Sequence, residues 1–180
     1  MDHLIYGLLI AILIMLSIID LKTQKLPNRI IYPGMLAAVL YCCIRFGPDG
    51  LFMSLKGLFL GMALFIVFYF MGGMGAGDVK LMGFIGAVIG PEGVIYAALF
   101  TSIAGGFYAF IILLLKGGFK LSLAGLAMNW KTFLLTRQFV FIPSGHCENK
   151  KERCLCYGLA ISIGTFIYII LKWSGNPYVT

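Results

Sequence analysis

The sequence predicts an all-α membrane protein of about six transmembrane helices, formed as one integral-membrane domain over residues 1–180. Hydrophobic residues make up 61% of the chain and charged residues only 12%, a composition that suits a lipid bilayer better than a water-soluble core. Long uncharged runs alternate with short polar stretches. The Lys and Arg residues are unevenly divided between those polar stretches, which indicates the orientation of the helices.

Most of the uncharged runs are near the ~17 to 25 residues that a spanning helix needs. They are Leu4 to Ile19, Ile30 to Ile44, Gly57 to Gly77, Leu81 to Pro91, Gly93 to Leu115, and about Leu155 to Leu171. The first lacks a basic segment before it and a small-residue cleavage site, so we expect a retained span rather than a signal peptide. The fourth is short enough to cover about half of the ~30 Å hydrocarbon layer, and a re-entrant loop is the alternative there.

The basic residues favour six spans. With six, the cytoplasmic side receives most of the 14 Lys and Arg residues, and the other side receives only Arg45, Lys56 and Lys172. A re-entrant fourth segment would move the most basic loop outside, against the positive-inside rule. We therefore predict both termini outside, with the fourth helix extended by its polar flanks or sheltered by its neighbours. The same loops account for the net charge of +7 without a nucleic-acid partner.

Asp20, at the end of the first span, and Asp78, at the start of the fourth, are then both predicted at the cytoplasmic edge of the membrane. Asp78 follows a glycine and precedes a helix, so a helix N-cap is the simple alternative for it. A carboxylate at the C-terminal end of a helix is disfavoured by the helix dipole. Another group must therefore stabilise Asp20, unless it is an ordinary boundary charge beside Lys22.

As a pair, these carboxylates suit aspartic proteolysis. One must be ionised to take a proton from water while the other stays protonated to polarise the scissile carbonyl, and two carboxyls held close share one proton. No Ser/His or Cys/His arrangement competes, because His3 is predicted on the outer side and His146 in the basic loop, each without an obvious nucleophile. We interpret Asp20 and Asp78 as a catalytic pair.

The residues beside Asp78 are candidates for shaping the site. Gly75 and Gly77 would let a substrate backbone lie close to the loop, and glycine permits positive φ where the chain turns into the fourth helix. Gly72 and Gly73 are interpreted as helix-packing residues. Lys80 opposes the dipole in the first turn, so it either extends to lipid phosphate or acts on the carboxylates or the substrate.

These motifs resemble the signatures of the type IV prepilin peptidase family, which are membrane aspartic endopeptidases. Residues 75–81, GAGDVKL, resemble the family's GxGD motif, and residues 20–28, DLKTQKLPN, resemble its first aspartate signature. Residues 156–161, CYGLAI, resemble its Pro-Tyr-Gly element, with Cys156 in the place of the proline. The resemblance implies a six-helix fold with Asp20 and Asp78 as catalytic residues. It also implies that the residues binding substrate or shaping the site are Gly75, Gly77, Lys80, Pro27 and Asn28.

The resemblance further implies a cell-membrane enzyme whose substrate is a pilin-like precursor, cut at the cytoplasmic face between a short basic leader and a hydrophobic helix. Only nine residues separate Asp20 from Ile30, which leaves no room for the cytoplasmic domain that accompanies N-methylation in longer members. The match is therefore to the short form found with tight-adherence pilus systems. An archaeal preflagellin-type peptidase, a small ion-coupled transporter and a non-enzymatic assembly factor are the alternatives.

The five cysteines predict neither a disulfide framework nor a metal site. Cys42 and Cys43 fall in a span, and the other three are predicted to face the reducing cytoplasm without a CxxC pair. No cofactor is predicted. Between the fifth and sixth helices, residues 116–153 are predicted to include an interfacial segment, because Trp130 beside Lys131 suits the membrane interface. That segment either gates the carboxylates or serves as a surface connector.

Overall fold

The computed structural model describes residues 3–23, 26–70, 74–115 and 157–174, and the regular secondary structure of those residues is entirely helical. Its helices are α1 (His3–Thr23), α2 (Asn28–Phe70), α3 (Ala76–Leu115) and α4 (Tyr157–Trp173). The first three are long and apolar enough to cross a membrane, whereas α4 is apolar but shorter. The chain divides into two compact units, residues 1–105 with 156–180 and residues 106–155.

Two glycines with positive φ interrupt the long helices. Gly47 in α2 has φ 65°, and Gly90 in α3 has φ 79°. Glycine adopts this left-handed conformation without the steric strain of a Cβ, and the proline that follows each glycine cannot donate a helical hydrogen bond. As a result α2 and α3 each consist of two helical segments, so the described residues contain six such segments.

The chain reverses direction at Gly47, because residues on either side of it meet the same atom of α3. Ser54 donates a hydrogen bond to the carbonyl oxygen of Ala87 at 2.8 Å, and Cys42 donates to it at 3.9 Å. In a continuous helix that carbonyl would accept from the N–H of residue 91, which is a proline and has none. The two side chains therefore satisfy a backbone acceptor that the break in α3 exposes.

The second segment of α2 packs directly against the first segment of α3. A Cβ at Gly57 would overlap the carbonyl oxygen of Gly86, and a Cβ at Gly86 would overlap that of Gly57. Small residues permit such backbone contact between apolar helices. Residues 81–87 are all buried, and α3 begins at Ala76. The short fourth run is therefore both extended by its polar flank and sheltered by its neighbours, as the sequence predicts.

Helix α4 lies antiparallel to α1. The hydroxyl of Ser17 donates to that of Ser162 at 2.7 Å near one end of the pair. At the other end, the ammonium of Lys172 donates to the hydroxyl of Tyr6 at 3.2 Å. This arrangement places the start of α4 beside the end of α1, where Asp20 lies.

Two predicted boundaries are wrong. The expected loop from Arg45 to Lys56 is helical except at Gly47, because only the glycine and the proline after it interrupt helical hydrogen bonding. The third run, expected to continue to Gly77, is not helical at residues 74 and 75, and α3 begins at Ala76. The six-span topology and the location of the termini stay predictions. The expected interfacial segment in residues 116–153 lies outside the described residues.

Single cysteines test the predicted orientation. In a cysteine-free background, we expect Thr23→Cys to react with a small membrane-impermeant thiol reagent only from the cytoplasmic face, and Asp49→Cys only from the outer face. Both native side chains are exposed. The measurement compares labelling of intact cells with labelling after the membrane is disrupted, when both cysteines should react. Labelling of Thr23→Cys in intact cells would invert the predicted topology.

Candidate active site

Asp20 and Asp78 line one cleft of about 350 Å³ within the first compact unit. Both carboxylates are buried, with 6% and 8% of their residues' surface exposed. The cleft is lined by Asp20, Leu26, Asn28, Gly75, Ala76, Gly77, Asp78 and Lys80. The structure thus brings together every predicted site residue except Pro27.

The carboxylate of Asp20 is held by the start of another helix. The N–H of Gly158 donates to Asp20 Oδ2 at 3.1 Å. Gly158 is the second residue of α4, so its N–H has no acceptor within that helix. Asp20, disfavoured by the dipole of its own helix, therefore lies at the positive end of the dipole of α4. Its burial is not that of an ordinary boundary charge.

Asp78 is oriented by its own backbone. It is the third residue of α3, and its Oδ2 accepts a hydrogen bond from the N–H of Gly75 at 3.0 Å. The N–H of Asp78 in turn donates to the carbonyl oxygen of Gly75 at 3.1 Å. The side chain of Asp78 forms one half of a capping box, in which an acidic residue of the first turn accepts the N–H of the N-cap residue, and Gly75 has no side chain to form the other half. Asp78 therefore lies within the first turn and not at the N-cap position, although its side chain accepts a backbone N–H at the helix start, as the N-cap alternative also expects.

Gly75 and Gly77 line the cleft, but not for the conformational reason expected. Among the described glycines, positive φ occurs only at Gly47 and Gly90, so the expected positive φ at positions 75 and 77 is wrong. A Cβ at Gly77 would lie 3.0 Å from the Cβ of Leu26, and one at Gly75 would lie 3.3 Å from Asp78 Oδ2. These glycines leave room for the α1–α2 connection and for the carboxylate.

Gly72 and Gly73, interpreted from the sequence as helix-packing residues, lie in the undescribed gap of residues 71–73.

Lys80 is held at the edge of the cleft by two residues of α2. Its ammonium donates to Asn28 Oδ1 at 3.3 Å and lies 5.0 Å from the centre of the Tyr32 ring, a distance at which cation–π attraction contributes. Pro27 does not line the cleft. Its carbonyl oxygen accepts from the N–H of Ile30 at 3.1 Å, so Pro27 sets the start of α2.

Besides Ala76, which lines the cleft from within the GAGD sequence, three residues of the site are not assigned by the sequence. Gly158 belongs to the CYG element, and that motif marks the residue without indicating that its N–H contacts Asp20. Tyr32 follows Asn28 by one helical turn, a spacing that places both on the same face. The sequence does not indicate that Lys80 contacts that face. Leu26 carries no polar group, and nothing in the sequence distinguishes it from other apolar residues.

A profile of the type IV leader peptidase family matches residues 7–110. The match includes both aspartates, the α1–α2 connection and nearly all of α3. The chain belongs to the type IV leader peptidase family. No curated protein and no solved structure matches it. Family membership implies that this membrane protein is a peptidase that acts on leader segments.

The described residues of this leader peptidase family member form no candidate metal site. None of their His, Cys, Asp and Glu side chains gather in a group of three or more that could hold a metal ion. Four possible His and Cys ligands lie outside the described ranges: His146, Cys147, Cys154 and Cys156. The expectation that no metal or cofactor takes part stays a prediction.

Proposed function

We propose that the protein is an aspartic endopeptidase of the cell membrane that removes the short leader from pilin-like precursors at the cytoplasmic face, without a methyltransferase domain. One observation carries the proposal. Two carboxylates from distant parts of a leader peptidase sequence, Asp20 and Asp78, are buried in one cleft, and each accepts a backbone N–H. Buried, paired carboxyls of this kind are suited to sharing a proton.

In the proposed mechanism, the ionised carboxylate takes a proton from a water molecule as the water oxygen attacks the scissile carbonyl carbon. The protonated carboxyl donates its proton to the carbonyl oxygen, which gives a neutral tetrahedral intermediate. Cleavage of the C–N bond follows when the first carboxyl returns its proton to the amide nitrogen and the second takes the proton back from the hydroxyl. The pair then again holds one proton, and water has been added across the peptide bond.

The position of the cleft suits a substrate that is itself anchored in the membrane. Asp20 lies near the end of the apolar α1, and Asp78 lies at the start of α3. A precursor whose hydrophobic helix occupies the bilayer would present the peptide bond before that helix at the same depth. Gly75, which is exposed in the cleft, leaves space for an extended backbone beside Asp78.

Cleavage by the purified protein in detergent tests the proposal. We expect a pilin-like precursor to be cut once, between its leader and its hydrophobic helix, with both products identified by mass. The control is an unrelated single-span protein with an N-terminal tail of the same length, which should stay intact. Preferential cleavage of a preflagellin-type precursor would support that alternative. No cleavage, together with cation-driven uptake into vesicles, would favour the transporter.

Lys80 is expected to contribute to turnover. Its ammonium is held at the cleft that contains both carboxylates, and Lys80→Met removes that charge at similar length. We expect an activity loss of about tenfold, which corresponds to about 1.4 kcal/mol in the barrier. Lys56→Met is the control, because Lys56 is exposed and predicted on the outer side. If the activity of Lys80→Met were unchanged in both anionic and zwitterionic lipid, contact with lipid phosphate would be the remaining role for the Lys80 ammonium.

A further inference from the structure

A chain of hydrogen bonds links the first turns of α4 to the last turns of α1. The hydroxyl of Ser17 donates to Ser162 at 2.7 Å, and the hydroxyl of Ser162 donates to the carbonyl oxygen of Gly158 at 2.9 Å. The N–H of the same glycine donates to Asp20. Ser17 and Asp20 are three residues apart on α1, and Gly158 and Ser162 are four apart on α4, so each pair lies on one helix face.

Gly158 also provides the space that the Asp20 carboxylate occupies. A Cβ at position 158 would lie 2.7 Å from Asp20 Oδ2 and 3.1 Å from its Cγ. The φ of Gly158 is not positive, so other residues could adopt its backbone conformation. Glycine is therefore required at this position by the neighbouring carboxylate and not by the turn of the chain.

We propose that Gly158 is a positioning residue for Asp20, and that the Ser17–Ser162 pair fixes the register of α1 and α4 that this position requires. The N–H of Gly158 directs the carboxylate into the cleft that it shares with Asp78. A larger residue at 158 would displace the carboxylate toward a position from which it cannot serve the same water molecule. The kinetic part of this inference rests on the proposed function, whereas the hydrogen bond itself does not.

An NMR experiment tests the hydrogen bond without any activity. Labelling with ¹³C-carbonyl tyrosine and ¹⁵N-glycine selects Tyr-Gly pairs, and the sequence contains two, Tyr6-Gly7 and Tyr157-Gly158. We expect Asp20→Ala to move the amide proton of Gly158 upfield and to leave that of Gly7 in place as an internal control. A Gly158 signal that does not respond to Asp20→Ala would overturn the proposal.

The kinetic experiment distinguishes positioning from a merely structural role. We expect Gly158→Ala to lower kcat on the order of 100-fold with little change in KM, because a small displacement of a reacting group has an effect of that size. Ser17→Ala and Ser162→Ala should each lower kcat less, and the double variant should lower it no further than the stronger single variant.

Ser102→Ala is the matched control for the serine variants. The hydroxyl of Ser102 donates to the carbonyl of Ala98 in its own helix at 2.8 Å, as that of Ser162 does to Gly158, but Ala98 is not the residue whose N–H donates to Asp20. An unchanged kcat in Gly158→Ala would overturn the proposal. If the unmodified protein cleaves nothing while the NMR response is seen, the hydrogen bond stands and the proposed peptidase function fails.

Discussion

Asp20→Asn and Asp78→Asn are each expected to abolish cleavage of a pilin-like precursor while the protein stays inserted and folded. Each change removes a carboxyl group that the shared-proton mechanism requires, with almost no change in size. The amide oxygen introduced at position 20 can still accept the N–H of Gly158, and the one at position 78 can still accept that of Gly75. The local fold therefore has no reason to change.

The expected loss follows from the role of each group. General acid or base catalysis contributes about 10²- to 10⁴-fold. In the proposed mechanism each carboxyl serves both roles in turn, so the loss should reach the upper end of that range. Initial rates are compared at equal protein concentration, with helix content and elution volume as checks of folding. Asp49→Asn, an exposed change outside the cleft, should retain full activity. Near-normal turnover in either cleft variant would refute the catalytic pair.

The pairing of Asp20 and Asp78 could be predicted from the sequence because it depends on the number of spanning helices between them. When apolar helices alternate in direction, the end of the first and the start of the fourth lie on the same side. The structure places both carboxylates in one cleft, in agreement with that reasoning. Gly75, Gly77 and Lys80 are within three residues of Asp78 in the sequence, so their place in the same cleft could also be predicted.

The break at Gly47 is harder to place, because hydropathy reports polarity and not hydrogen bonding, whereas the expected run boundary at Pro91 lies beside the break at Gly90. The polar stretch from Arg45 to Lys56 predicts a loop, yet nearly all of it is helical. The sequence contains two Gly-Pro dipeptides, and they lie at the breaks in α2 and α3. Gly-Pro is a recognised signal for a turn, so at Gly47 this pattern locates the break better than the loss of hydrophobicity does.

The partner of Asp20 could not be predicted, because it is a backbone group. Every residue except proline carries an N–H, and a sequence pattern does not indicate which one will face a given carboxylate. The structure shows that the cleft forms where two helices begin, with the N–H of Gly75 at the start of α3 and that of Gly158 at the start of α4. Such groups lack acceptors within their own helices, and they stabilise negative charge.

The contact between α2 and α3 determines where Asp78 lies, and it depends on Gly57. A Cβ there would stand on the carbonyl oxygen of Gly86 and would lie 2.9 Å from the carbonyl carbon of Gly90, so only backbone atoms would have to move. Overpacking against movable side chains already costs about 1–3 kcal/mol, and the backbone of two packed helices yields less easily. We therefore expect Gly57→Ala to cause a larger loss of stability and a low yield of folded protein.

The sign of this effect separates the helix contact from helix propensity. Alanine is favoured over glycine within a helix by about 0.5–1 kcal/mol, so Gly57→Ala should stabilise the protein if the close contact were absent. Gly7→Ala is the control, because a Cβ at Gly7 would meet no atom within 4 Å, and it should be neutral or slightly stabilising. Thermal unfolding followed by the elution of folded protein in detergent measures both. If Gly57→Ala unfolded at the same temperature as the native protein, α2 and α3 would not be in backbone contact, and the position of Asp78 opposite Asp20 would lose its structural basis.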